Sequence, residues 1–166
     1  ERKFGYLIYR YKFKNFTKNK IVSNFPTYVL IELASLCNLR CQMCYQSDKT
    51  FTKKNYMGAM SFELYKNIID QLVEGGTGAL TFGSRGEPLM NKEISKCLDY
   101  AKNKFYELKL ITNASFLNEE ISHSILKNNI NLLTFSVDSH LKDEYETIRK
   151  RGNFNKVLNN ISNFLK

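Results

Sequence analysis

A chain of 166 residues with 43% hydrophobic and 25% charged residues has the composition of one globular domain, which excludes a disordered or low-complexity protein. No apolar run in these residues is long enough to cross a bilayer and no n-region followed by an h-region marks a signal peptide, so a cytoplasmic protein with reduced cysteines is expected rather than a disulfide scaffold. The net charge of +9 is local: seven Lys/Arg and one acidic residue lie between Glu1 and Lys20, and the remainder is close to balanced.

Residues 1–27 form a basic aromatic N-terminal extension in which Tyr9-Arg10-Tyr11-Lys12-Phe13-Lys14 alternates rings with cations. Three readings compete: a strand or helix packed on the edge of the core, a surface touching anionic lipid, or one touching nucleic acid. The first is preferred because basic aromatic stretches are common and non-diagnostic, and nucleic acid is not expected as a partner. The chain does not start with Met, so further N-terminal residues are expected to precede it.

From residue 28 onward short aliphatic runs alternate with amphipathic stretches. Residues 28–33 read as a buried strand leading into a cysteine loop. Ser61 is placed as the N-cap of a helix running to Glu74, with Tyr65, Ile68, Ile69, Leu72 and Val73 on its apolar face and Gly75-Gly76 as its stop. A second strand at 79–82 ends in Gly83-Ser84-Arg85-Gly86-Glu87-Pro88. Ile94, Cys97, Leu98 and Ala101 mark the next helix. A third strand spans 108–112, and Asn118 opens a helix carrying Ile121, Ile125 and Leu126. The fourth strand spans 132–137. A short helix near 144–148 and a last one with Phe154, Val157, Leu158, Ile161 and Leu165 complete the chain. Four β-then-α units in order imply an α/β fold with a parallel sheet and helical crossovers.

Three of the four cysteines, Cys37, Cys41 and Cys44, fall within eight residues. Thiolates are the usual iron–sulfur ligands, and one short loop can wrap several corners of a cluster. Three local ligands leave a fourth iron open, as open catalytic metal sites do. The loop follows the carboxyl end of the first strand, where parallel α/β architectures assemble their sites. The competing reading is a structural zinc site with Cys97 or a His as fourth ligand. Cys97 lies on the apolar stripe of its helix, and His123 and His140 show no ligand-pair spacing.

The CxxxCxxC loop after the first strand resembles the signature of the radical S-adenosylmethionine (SAM) superfamily, and three further motifs match in order. Gly86-Glu87-Pro88 follows the second strand, Thr112-Asn113 ends the third, and Ser136-Val137-Asp138 ends the fourth. Tyr145 to Leu158 resembles the segment after strand four in peptide-modifying members. The resemblance implies a parallel (β/α) partial TIM barrel with four of six units present over residues 28–166, and hence a chain truncated before its last strands. It implies a [4Fe-4S] cluster on Cys37, Cys41 and Cys44, with SAM contacts from Met43, Ser84, Arg85, Gly86, Glu87, Asn113, Ser136, Asp138 and Arg149. Glu87 and the turn carbonyls would receive the SAM ammonium. Strand alternation would put Ser136 and Asp138 on one face, with Ser136 toward the ribose or carboxylate. Arg149, with Lys150 and Arg151 as adjacent rivals, would meet the carboxylate. Two departures stand out: Met43 replaces an aromatic residue, and Arg85 replaces a glycine, so its cation must point away from the ammonium.

The activity so implied is reductive cleavage of SAM to a 5′-deoxyadenosyl radical that abstracts hydrogen from a substrate. The branch that acts on peptides or carbohydrate precursors (the SPASM type, often with auxiliary clusters) is the nearest match, and an electron donor such as flavodoxin or ferredoxin is implied. A non-catalytic iron–sulfur or zinc module is the alternative.

Overall fold

The computed structural model describes residues 2–166. In chain order the elements are α1 (Arg2–Lys18), β1 (Tyr28–Ile31), the short β2 (Arg40–Cys41), α2 (Phe62–Glu74), β3 (Ala79–Phe82), α3 (Ile94–Ala101), β4 (Glu107–Thr112), α4 (Glu119–Lys127), β5 (Leu132–Phe135), α5 (Lys142–Ile148), the short β6 (Arg149–Lys150) and α6 (Phe154–Phe164). Strands β1, β3, β4 and β5 lie side by side in that order, and every pair is parallel. The α/β class and the four repeated units are as the periodicity predicts.

Short polar side chains start three of the helices by accepting an otherwise unpaired backbone N–H. Ser61 accepts from Leu64 N at 3.3 Å, Asn118 from Ile121 N at 2.9 Å, and Asn153 from Lys156 N at 2.9 Å. The central strand β3 is buried at all four positions, as a strand covered on both faces must be. On β4 burial alternates, with Leu108, Leu110 and Thr112 buried and Ile111 exposed. Leu80, Phe82, Leu108 and Leu110 join Tyr65, Ile69, Cys97, Leu98 and Ile125 in one hydrophobic core.

Several expected core positions lie outside it. Val73, Leu126, Leu158 and Leu165 are exposed, because the sheet meets only the centre of each helical stripe. Two strands are shorter than predicted. β1 stops at Ile31, after which Leu33 O accepts from Met60 N at 2.9 Å and Ala34 bridges Ala59. β5 stops at Phe135, and three residues later Asp138 adopts a left-handed φ of 69°.

Helix α1 packs across the amino-terminal ends of the strands, which bears out the first reading of the basic segment. Tyr9 is buried and lies against Tyr106, with ring centroids 6.3 Å apart, while Phe13 meets Tyr28 edge-on at 5.8 Å. Gly78, just before β3, is required for this contact, since a Cβ there would sit 2.3 Å from the Tyr9 ring. The Tyr6 and Tyr9 hydroxyls and the Arg10 guanidinium converge on Glu107 at 3.1, 3.3 and 3.3 Å.

Candidate functional site

The cysteine loop is built by local hydrogen bonds and then pinned from outside. Leu39 is buried as its anchor, and the Arg40 guanidinium donates back to the carbonyls of Cys37 and Leu39 at 2.8 and 2.6 Å. Cys41 belongs to β2, which pairs antiparallel with β6 so that Cys41 stands opposite Arg149. Gln42 N donates to Ile148 O at 2.9 Å and extends the same contact. Gln46, two residues past Cys44, is almost fully buried and donates to Ser35 O at 2.9 Å and Arg85 O at 2.7 Å. It thereby ties the cysteine loop to the turn after β3.

That turn approaches the loop closely enough to need a glycine. A Cβ on Gly86 would lie 1.8 Å from Ala34 O, a backbone atom with no room to move. Ser84 adopts φ 109°, an unfavourable conformation for a non-glycine residue. Arg85 does point away: its guanidinium grips Glu32 at 3.1 and 3.2 Å, and its backbone N–H donates to the same carboxylate at 3.0 Å.

Glu87 is only 2% exposed, so it is no solvated turn carboxylate. It accepts from the Thr112 hydroxyl at 2.6 Å, from Asn113 N at 2.7 Å and from Leu89 N at 3.1 Å. The end of β4 and the turn after β3 are thus joined through one side chain. Asn113 in turn donates to Asn38 Oδ1 at 3.0 Å and to Cys37 Sγ at 3.8 Å.

Beyond β5 the predicted strand alternation breaks down. With the strand ended and Asp138 left-handed, Ser136 faces the cleft of the cysteines while Asp138 lines a separate surface hollow with Val137 and His140. Asp138 does not cap α5, whose first turn follows Leu141. It pairs instead with Arg149 at 2.7 Å. The same guanidinium donates to Cys41 Sγ at 3.7 Å, and its buried Nε has no partner.

Cys37, Cys41, Cys44, Met43, Ser84, Arg85, Gly86, Glu87, Asn113, Ser136 and Arg149 all line one cleft of about 190 Å³ beyond the carboxyl ends of the strands. Of the predicted site residues only Asp138 lies outside it. Burial pushes the Cys37 and Cys41 thiols up, opposed by the Leu39 N–H at Cys37 and by the Arg149 charge at Cys41. Burial also pushes the Glu87 carboxyl up, against donated hydrogen bonds from Asn113, Thr112 and Leu89 that favour the anion. Cys97 is buried in α3 with its thiol raised to about 12 by desolvation, and it does not line the cleft. Among the described residues no three His, Cys, Asp or Glu side chains are grouped as ligands of a single metal ion. Three thiols share the lining of one cleft, which holds no His and no fourth Cys, and that donor set suits a cluster that takes three protein thiolates.

Sequence reasoning missed Glu32, Arg40, Gln46 and Asn91, which hold the loops in place. Asn91, for example, is buried and donates to Leu33 O and Met60 O at 2.9 Å each. A polar residue two or three places past a motif looks like any surface residue until its partners are known.

Fold and site together define a parallel α/β protein whose sheet ends in a three-thiol loop braced by a buried glutamate. Residues 31–166 match the sequence model of the Radical SAM superfamily, and the chain belongs to that superfamily. It is 31% identical over 144 residues to the uncharacterized protein MJ0804 of Methanocaldococcus jannaschii, spanning 86% of this chain and 45% of that one. It is 28% identical over 141 residues to a GTP 3',8-cyclase of Clostridium botulinum, spanning 83% of this chain and 43% of the cyclase. The chain therefore spans less than half the length of either relative. Its fold is similar to that of SuiB from Streptococcus suis, solved bound to the precursor peptide SuiA, with a TM-score of 0.71 at 17% identity over 93% of this chain and 34% of SuiB.

Proposed function

We propose that the chain is the cofactor-binding core of a radical SAM enzyme, with Cys37, Cys41 and Cys44 holding a [4Fe-4S] cluster whose fourth iron is left for SAM. The observation that carries this reading is the convergence of the three thiols and the Glu87-braced turn on one cleft. Bound there, cluster and cofactor supply reductive cleavage of SAM and the hydrogen-abstracting radical that follows.

The residues of the chain divide into two roles in this reading. Met43, Ser84, Gly86 and Ser136 form the wall toward SAM, where the carbonyls of the turn and the Ser136 hydroxyl are acceptors suited to an ammonium and a ribose. Glu87, Arg85, Asn113, Asp138 and Arg149 position that wall, since their polar groups already engage the protein. Arg149 and Asn113 also donate N–H groups to Cys41 and Cys37 sulfurs, a contact that tunes iron–sulfur potentials. Residues 28–166 constitute the core and residues 1–27 an added N-terminal unit.

A peptide or carbohydrate precursor is the proposed substrate class, an inference from the Tyr145–Leu158 match and by analogy with SuiB and its peptide. A flavodoxin or ferredoxin is the proposed electron donor, in a reducing cytoplasm. No helix among the described residues is long and apolar enough to cross a membrane.

The test is electron paramagnetic resonance on the anaerobically reconstituted, dithionite-reduced full-length protein, with and without SAM. A [4Fe-4S]+ signal that shifts on adding SAM is expected. A cluster signal indifferent to SAM would favour an electron-transfer module, and bound zinc without iron would overturn the assignment.

A further inference from the structure

Helix α1 carries two apolar stripes, and the core uses only one. Tyr6, Tyr9 and Phe13, spaced i, i+3 and i+7, face the sheet ends. Phe4, Leu7, Ile8 and Tyr11, spaced i, i+3, i+4 and i+7, lie on the opposite side at 100° per residue and are 71, 63, 41 and 64% exposed. Seven cations stand in the first twenty residues. Lys3, Arg10 and Lys14 flank the outer stripe on one side and Lys12 on the other. Lys3, Lys12, Lys14 and Lys18 form no ion pair among the described residues, and α1 contains no acidic residue.

We propose that this outer face of α1 seats the protein on an anionic membrane surface, with Phe4, Leu7, Ile8 and Tyr11 entering the headgroup boundary and the flanking lysines meeting lipid phosphates. An outward apolar line bordered by long cationic side chains is the arrangement of an interfacial helix, because the stems of Lys and Arg lie along apolar surface while their heads reach charge. A nucleic acid suits the face less well. Its phosphates would meet apolar side chains before cations, and only Phe4 and Tyr11 of the four stripe residues offer a ring on which a base could stack. The docking also fits the rest of the fold. α1 covers the amino-terminal ends of β1, β3 and β4, while the cysteine cleft opens at their carboxyl ends, so attachment through α1 leaves the cleft toward water. The inference stands independently of the cluster chemistry.

The experiment uses the full natural chain with vesicles of phosphatidylcholine alone or containing about one-third phosphatidylglycerol. These 166 residues hold no tryptophan, so Tyr11→Trp adds a reporter in the stripe, read as the difference in emission from the unsubstituted protein. A blue shift and co-sedimentation with anionic vesicles are expected, roughly tenfold stronger than with neutral ones and weakened by salt. Leu7→Glu with Tyr11→Glu should abolish this, whereas Leu126→Glu, an exposed leucine on α4, should not; all should melt at the wild-type temperature. Equal binding to neutral and anionic vesicles, or undiminished binding by the Leu7/Tyr11 variant, overturns the proposal. So does binding to polyuridylate but not to vesicles. Absence of vesicle binding together with a lowered melting temperature for the Leu7/Tyr11 variant also overturns it, by showing that the stripe is covered by protein.

Discussion

Replacing Glu87 by Gln tests whether this carboxylate is a structural tie between two loops. One Glu87 oxygen serves both the Thr112 hydroxyl and Leu89 N–H, and the other serves Asn113 N–H. A glutamine keeps its carbonyl where two donors converge, which turns its NH2 toward the Asn113 N–H. One charge-assisted hydrogen bond is lost and a buried donor faces a donor, a cost of roughly 2–4 kcal/mol with no water to relieve it. At about 2–4 °C per kcal/mol for a domain of this size, the melting temperature should fall by roughly 5–15 °C. Circular dichroism of the cluster-free protein reads this directly. Thr112→Val leaves the carboxylate its two backbone donors but strands the buried Ala114 N–H, which donates to Thr112 Oγ1 at 3.0 Å, so it should cost a similar amount, and the double variant should cost less than the sum of the singles because the residues share a bond. A Glu87→Gln protein that melts within about 1 °C of wild type would refute the reasoning, since only a solvated side chain is so indifferent.

Arg149→Met removes the partner of Asp138 and the donor to Cys41. The loaded cluster should then titrate at a lower potential by EPR-monitored reductive titration, because a cationic donor near a thiolate favours the reduced, more negative cluster. Gly86→Ala forces a Cβ onto Ala34 O; loss of cooperative unfolding or of iron retention is expected, against a smaller effect for Gly58→Ala, where a Cβ meets nothing. Iodoacetamide at pH 8 should leave Cys97 unmodified in the native cluster-free protein and label it after denaturation, as peptide mass spectrometry would show, since its thiol is buried and raised to about 12. Docking of α1 should have two pH edges, read by amide exchange of residues 6–13. Burial alone would raise Glu107, but Lys109, Tyr6 and Arg10 together hold it below the usual carboxylate range. Its contribution is therefore present above the unfolded pKa of about 4.3 and lost as pH falls through the lower folded value. Tyr9 is raised to about 12 by burial and by Glu107. Its contribution is complete below the unfolded pKa of about 10 and lost as pH rises through about 12. Protection factors (exchange relative to the intrinsic rate at each pH) unchanged across both windows would show that neither group anchors the helix.

Local patterns in the sequence by themselves determined the order of four βα units, the helix starts at Ser61 and Asn118, and the place of the cysteine loop, because these depend on neighbours within a few residues. Three cysteines in eight positions are legible for the same reason, whereas the Gly-Glu-Pro turn was legible only through its resemblance to a family motif. What joins them was decided only in three dimensions. The pairing of Arg40–Cys41 with Arg149–Lys150 spans more than a hundred residues and rests on two residues per strand, too short to leave an alternating pattern. Gln46 and Asn91 are polar residues whose worth lies in distant backbone partners, and Glu32 and Arg85 find each other's side chains across fifty-three residues. Asp138 shows the same limit from the other side. Alternation placed it beside Ser136, but alternation holds only while the backbone stays extended, and the left-handed turn at Asp138 sends its carboxylate to Arg149 instead. Local sequence specifies which groups are available, and the tertiary fold alone sets which of them meet, since contacts between remote segments depend on the path of the whole chain.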